Sequence, residues 1–318
     1  MFERMYQFLN RNKKIIPLLG VRYFFLFILI KLAYVLGIKS LAMFMFKKYS
    51  VAVKLYVSNN ISYTISNLSK PMEDKKVNQT GNIWVCWFQG EENAPDIVKA
   101  CVNSIRRHAN GMEVVLVTMD NFNKYVNFPE FILEKLESGC VSLTHFSDIL
   151  RSALLYMYGG LWIDSTSFLT RDIDHDWFGY EFYSIKKKDK GLNVSESLWC
   201  GYFMAGNKGN LVHELLYKGL LEYWTKTDAQ VDYLLIDYII RVGYENNTLI
   251  KKMIDSVSYN NEYVEFFLKH DRDLLNEDKY REIMNTTYCF KLTYKKRLGL
   301  VNKSYGQRFV SDHLCVSL

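Results

Sequence analysis

Proline is scarce in this sequence, with four among 318 residues. A chain that is also 49% hydrophobic and 15% aromatic excludes long disordered linkers and has the material for a sizeable core. Cysteine is sparse as well. Cys86, Cys101, Cys140, Cys200, Cys289 and Cys315 make no C-x-x-C pair, and no histidine stands at zinc spacing. That excludes the common zinc frameworks and reads as reduced, mostly buried thiols suited to a cytoplasmic compartment. No apolar run reaches the ~20 uninterrupted residues of a spanning helix, because Lys31 and Lys39 break the stretch from Tyr23 to Phe46. No small-residue cleavage site follows promptly, which argues against a signal peptide. Internal repeats, low-complexity tracts and nucleic-acid fingerprints are missing too, so nucleic acid is not an expected partner.

What is present is a charge asymmetry. Ten basic residues and one acid, Glu3, between Met1 and Lys54 give that arm +9, against +6 for the whole chain. Basic charge interleaved with apolar runs fits a membrane surface, with lysine stems in the interface and ammonium groups at anionic headgroups. Two readings of the arm stand: helices lying on the inner leaflet, or amphipathic helices packed on the protein's own core. A polar passage over 49–80, ending in Lys70-Pro71 and Thr80-Gly81, reads as the junction. The expected organisation is an arm with its junction over 1–80 and a single α/β domain over 81–318.

The domain opens near Asn82. Ile83 to Phe88 is a continuous apolar run of strand length, and Ile97, Val98, Cys101, Val102 and Ile105 repeat at helical spacing. After Asn110-Gly111, Glu113 to Thr118 forms a second apolar strand, so the order is βαβ and a parallel sheet is expected. Ser147-Asp148 reads as the cap of a helix running to about Tyr158. Gly159-Gly160 then lets the chain turn into a strand, Leu161-Trp162-Ile163, which places Asp164 at the end of a strand where parallel sheets bind ligands. Leu211 to Trp224 and Val231 to Arg241 read as helices.

The densest chemistry lies between Ser147 and Thr166. Asp148 and Arg151 share a helix face, and Asp164 follows the two glycines. Carboxylates gathered this way are candidates to hold a divalent ion against a diphosphate and to accept hydrogen bonds from sugar hydroxyls, with Arg151 orienting Asp148 or meeting phosphate oxygens. Asp237 stands inside an apolar segment, where a carboxylate is costly without a partner or a task. It is a candidate catalytic carboxylate beside the reacting carbon, or equally a paired core residue. Trp87 and Phe88 are candidates for stacking on a nucleobase, with core packing as the alternative. Gly201-Tyr202, after Trp199, either shapes a sugar or acceptor pocket or makes an ordinary turn. Lys291 and Lys295 either pair with a departing diphosphate or form a solvated basic face. His145 reads as structural.

The stretch D-x-x-R, Y-G-G, aromatic, Asp resembles the core motif of the capsular polysaccharide synthesis glycosyltransferases and the related initiating α-mannosyltransferase and sugar-binding DXD families. Ile83 to Gln89-Gly90 with Ala94-Pro95, Asp232 to Tyr238, and Lys291 to Lys295 are similar to further landmarks, so the likeness runs from Asn82 to Lys296. The resemblance implies a GT-A-type, Rossmann-like fold, a UDP-sugar donor, hexose transfer with retention, and an acceptor of the lipid-linked, undecaprenyl diphosphate type. Taken with the reading of the residues above, Trp87, Phe88, Gln89, Asp148, Arg151, Gly159, Gly160, Asp164, Ser165, Thr166, Gly201, Tyr202, Lys291 and Lys295 are expected at the donor, and Asp148 and Asp237 in catalysis. The metal motif departs from the pattern: Asp164-Ser165-Thr166 lacks the second carboxylate. A manganese or magnesium ion on Asp164 and the Thr166 hydroxyl is therefore expected to bind mainly together with the donor. Two other readings remain, a silent sugar-nucleotide binder and a nucleotidyltransferase. The latter is opposed by the lack of a Gly-rich phosphate loop after the first strand.

Overall fold

The protein is described by a computed structural model covering residues 15–69, 81–189, 191 and 193–314. Lys70-Pro71 and Thr80 of the expected junction, and Cys315, lie outside the described residues. Among the described residues the helices α1 (Ile15–Leu19), α2 (Val21–Val35), α3 (Lys39–Asn60) and α4 (Ser62–Ser66) lead. Then follow β1 (Ile83–Cys86), α5 (Asp96–Arg107), β2 (Val114–Val117), α6 (Glu130–Glu137), α7 (Leu143–Tyr158) and β3 (Gly160–Ile163). The second half holds β4 (Ser167–Leu169), β5 (Phe182–Ser184), β6 (Phe203–Gly206), α8 (Leu211–Lys226), α9 (Leu235–Asn246) and α10 (Thr248–Asp255). It closes with α11 (Phe266–His270), α12 (Glu277–Thr286), β7 (Cys289–Lys291) and α13 (Tyr305–His313).

The central sheet has the order β2-β1-β3-β6-β5. β1 pairs in parallel with both β2 and β3, as the βαβ reading expects, whereas β6 runs antiparallel to β3 and β5. The sheet is therefore mixed α/β. A four-residue buried strand such as β6 carries no direction in its composition, which is why the antiparallel half escaped the sequence. β4 and β7 form a separate antiparallel pair that brings Lys291 towards the end of β3.

Alternation along β1 feeds two cores, one on each face of the sheet. Trp84 and Cys86 face a helical layer built from α7, α8 and α9, while Ile83 and Val85 face α5 and the C-terminal helices. Ile30, Tyr49, Val53, Val57 and Ile61 of the arm join the first of these cores. Tyr49 donates to Asp232 Oδ2 at 2.9 Å, and Lys54 pairs with Glu245 at 2.7 Å. One face of the arm is thus packed on the domain, each buried aliphatic side chain contributing on the order of 1.5–3 kcal/mol. Among the described residues no helix is long and apolar enough to cross a membrane.

Two boundaries differ from the sequence reading. α7 starts at Leu143 because the Ser142 hydroxyl accepts from the backbone N–H of His145 at 3.2 Å. Ser147 and Asp148 therefore sit one turn inside the helix rather than at its cap. α9 starts at Leu235, since Asp232 Oδ1 accepts from the backbone of Leu234 and holds a turn over 231–234.

Candidate active site

Asp164 leaves β3 at its C-terminal end, and the register with β1 carried on two residues sets Cys86 beside it. Burial and then the Asp164 charge push the Cys86 thiol up. The backbone N–H of Asp164 donates to the Tyr202 carbonyl at 2.9 Å. Its Oδ1 accepts from the Trp162 indole at 2.9 Å, and its Oδ2 from the Lys291 ammonium at 2.6 Å. Arg151 Nη2 stands 3.6 Å from Oδ1. Burial works to raise this carboxyl, but Lys291 and Arg151 overrule it and hold it well below the usual carboxylate range. Asp164 is a fixed negative charge.

His145, Asp148 and Arg151 fall at three-residue steps on one face of α7. Arg151 is only 4% exposed. Its Nη2 donates to Asp148 Oδ1 at 2.8 Å, its Nη1 donates to the Gly201 carbonyl, and its guanidinium lies 5.0 Å from the Trp162 ring centroid. His145 takes the other carboxylate oxygen. The Trp224 indole, which can only donate, reaches His145 Nε2 at 3.0 Å. Nε2 must therefore accept, and a neutral His145 carries its proton on Nδ1, 3.3 Å from Asp148 Oδ2. Gln230 Nε2, which donates to the Tyr233 carbonyl at 3.2 Å, also lies 3.2 Å from that nitrogen and, as a donor, makes no bond to its protonated form. Asp148 is thus held at both oxygens, and His145 is a positioning residue for it.

Asp237 occupies the first turn of α9, buried, with Oδ1 accepting from the Trp199 indole at 2.7 Å. Burial pushes its carboxyl up to about 7; the Trp199 bond opposes that and the nearby Asp148 charge adds to it. A carboxyl poised there exchanges a proton near neutral pH. The loop between Trp199 and Tyr202 ties the parts together. A Cβ on Gly201 would meet Arg151 Nη1 and Ile236 Cδ1, each at 3.0 Å, so this position lets the backbone lie between α7 and α9.

Two carboxylates, Asp148 and Asp164, face two cations, Arg151 and Lys291. The set is balanced as it stands, and a diphosphate entering it brings uncompensated negative charge. Among the described residues no three histidine, cysteine or carboxylate side chains gather to hold a metal ion. Asp164 offers one carboxylate with an ammonium already on it, and the Thr166 hydroxyl has no bonding partner among the described residues. That donor set fits a dication whose remaining ligands are phosphate oxygens, and does not fit a resident ion.

Other residues singled out from the sequence fall in different places. Gly159 and Gly160 lie at the opposite end of β3 from Asp164, away from the donor position expected of them. Both have positive φ, at 71° and 96°, and a Cβ on either would collide with neighbouring backbone, at Lys208 or Asn82. Their work is the close approach of strands. Phe88 is buried and stacks on Phe146 at 5.3 Å, which makes it core rather than a base platform. Trp87 lies edge-on to Tyr294 at 5.5 Å, with its indole N–H buried and unbonded. Ser165 is buried, and Gln89 and Lys295 are exposed.

The sequence reading missed Trp162, Trp199, Tyr233 and Tyr294, and set His145 aside. Tyr233 is 74% exposed yet lies within electrostatic reach of Asp148, Asp164 and Tyr294, so it stands at the mouth of the site. Only Trp162, two residues before Asp164 on the same strand face, carried a signal in its spacing.

Residues 31–309 match the capsular polysaccharide synthesis protein family. Over 102 residues the chain is 33% identical to the O-glycosyltransferase braB of Annulohypoxylon truncatum, an alignment covering 29% of this chain and 24% of that protein. Over 124 residues it is 32% identical to the O-glycosyltransferase PaGT of Phomopsis amygdali, covering 36% of this chain and 29% of the relative. The chain thus spans only about a quarter of the length of these curated relatives. No solved structure matches. With nearly the whole domain and the latter half of the arm inside the matched region, the chain belongs to the capsular polysaccharide synthesis protein family.

Proposed function

We propose that the protein is a glycosyltransferase on a GT-A-type domain. It takes a hexose, glucose or galactose, from a UDP-sugar and passes it with retention to a lipid-linked diphosphate glycan of the undecaprenyl type, at the cytoplasmic face of a bacterial membrane. The observation that carries this reading is the convergence of Asp164, Lys291, Arg151 and Asp148 at the C-terminal end of β3. The family match and the two O-glycosyltransferase relatives support sugar transfer as the reaction.

In this reading Lys291 turns from Asp164 to the diphosphate when the donor enters, and stabilises its charge as the leaving group departs. Asp164 and the Thr166 hydroxyl would hold a manganese or magnesium ion brought with the donor, which would supply Lewis-acid neutralisation of that diphosphate. Arg151 keeps Asp148 and the 199–202 loop in place, and Asp148 accepts hydrogen bonds from sugar hydroxyls. Asp237 holds or releases a proton beside the reacting carbon. Trp87, Tyr294 and Tyr233 form the aromatic rim for base and sugar.

The test is a panel of nucleotide sugars with manganese present, following release of nucleoside diphosphate from wild type and Asp164→Ala. Turnover on one donor that the variant loses supports the proposal and identifies the sugar. Donor binding without release, even with lipid-linked acceptors added, would make the protein a silent binder and overturn it.

A further inference from the structure

The packed face of the arm leaves another face open. On α2, Phe25, Leu29 and Leu32 recur at helical spacing and are exposed; on α3, so do Leu41, Phe44, Val51 and Leu55. The two helices meet in a tight bend made almost wholly of apolar side chains. Val35 is 81% exposed and Leu36 71%, with Tyr34 and Ile38 open on either side. This tip is ordered by its own backbone: Gly37 has φ 76°, its N–H donates to the Tyr34 carbonyl, and the N–H of Ile38 donates to that of Ala33. That is the glycine-terminated closure of a helix, so the apolar tip is presented on a fixed support.

Charge around the tip has one sign. Residues 15–69 contain six basic side chains, Arg22, Lys31, Lys39, Lys47, Lys48 and Lys54, and no acid. Among the described residues Lys54–Glu245 is the one ion pair these side chains make, and Lys31 lies within electrostatic reach of Asp232. Lys31 and Lys39 flank the bend, and the ammonium groups of Lys31 and Lys48 lie 5.3 and 4.6 Å from the Phe27 and Phe44 ring centroids, their stems laid along apolar surface. A second copy of the chain would set this basic face against itself. The 15 residues of α2 make a rod of roughly 22 Å, short of the ~30 Å hydrocarbon core. The hairpin is shaped to enter one leaflet, with its cations at headgroup level.

We infer that the α2–α3 hairpin is an insertion element for an anionic lipid bilayer, with the 34–38 bend buried in the acyl region and Lys31 and Lys39 at the phosphates. This deepens the membrane part of the proposed function and rests on that part alone. Because the other face of the arm is core, the hairpin cannot be deleted without harm to the domain. Through α3 and Tyr49, a membrane-held hairpin is joined to Asp232, five residues from Asp237.

The experiment is co-sedimentation of the full chain with vesicles of phosphatidylcholine alone and of phosphatidylcholine mixed with phosphatidylglycerol. Compared are wild type, Val35→Glu/Leu36→Glu and Lys31→Gln/Lys39→Gln, each checked for an unchanged melting temperature. Wild type is expected to bind the anionic vesicles preferentially, the tip variant to stay in the supernatant, and the lysine variant to lose roughly fivefold in partitioning per cation. Equal binding by the tip variant and wild type overturns the inference, as does no preference for anionic lipid. A wild-type dimer in solution that the tip variant dissolves also overturns it, assigning the face to a second copy. Nothing in the assay needs a donor or turnover, so vesicle binding with no active donor would sink the transferase reading and leave this one standing.

Discussion

The ammonium of Lys291 sits 2.6 Å from Oδ2 of Asp164, joining two residues 127 positions apart. The contact keeps a carboxylate and a cation together until an anion competes for the cation. It also keeps the half-buried Asp164 carboxylate charge-balanced.

Lys291→Met is expected to lower kcat/KM roughly 10- to 100-fold, the worth of one charge-assisted hydrogen bond to a developing anion. Steady-state kinetics on the donor found in the nucleotide-sugar panel would check it. A variant as active as wild type would return Lys291 to a structural role.

Asp148→Asn keeps the shape of the side chain and removes its charge. Turnover should fall by a similar factor while the melting temperature moves by only a few degrees. Arg151→Ala, by contrast, takes the cation from the half-buried Asp148 carboxylate and leaves it only the His145 contact, which should cost about 3–5 kcal/mol of stability, read by denaturant unfolding. Similar unfolding midpoints for the two variants would refute the assignment of Arg151 as the buried hub.

Asp237 gives the stability a pH dependence of known sign. Its carboxyl is raised to about 7 in the folded protein, while an unfolded aspartate titrates near 4. Between those values the unfolded chain has released its proton and the folded one has not, so this group's contribution is full below about pH 4. It declines as pH rises towards 7 and is constant above. Asp237→Asn should flatten that part of the profile. Equal slopes in urea melts of the two proteins between pH 5 and 7 would contradict the assignment.

Gly160→Ala tests the reassignment of the glycine pair. The new Cβ meets the Asn82 carbonyl, and φ is 96°. Stability should drop by more than ~1 kcal/mol, with kcat per folded molecule and donor KM unchanged. A raised donor KM at constant stability would restore these glycines to the donor site.

Local periodicity made part of this protein legible in advance. The apolar run at Ile83, the helical spacing from Ile97 and the Asp148/Arg151 pair each depend on neighbours within a few residues; the first two begin elements as read, and the pair shares a helix face although that helix starts at Leu143. Gly159-Gly160 shows where that reasoning fails. The sequence marks an unusual backbone at the turn, but only the strands beside it reveal that the demand is close packing.

The sequence alone determined that basic charge gathers among apolar residues over 1–54, and that Asp164 follows a buried strand, since charge and hydrophobic period are properties of the chain itself. Tertiary structure decided what those residues meet: Lys291 on Asp164, Trp199 on Asp237, Trp224 setting the proton of His145, Tyr49 tying the arm to Asp232. It also decided which face of the arm is core and which is open. Such contacts join segments far apart in sequence through the packing of the sheet and its helical layers, and no local pattern records which distant side chain a fold will bring within 3 Å.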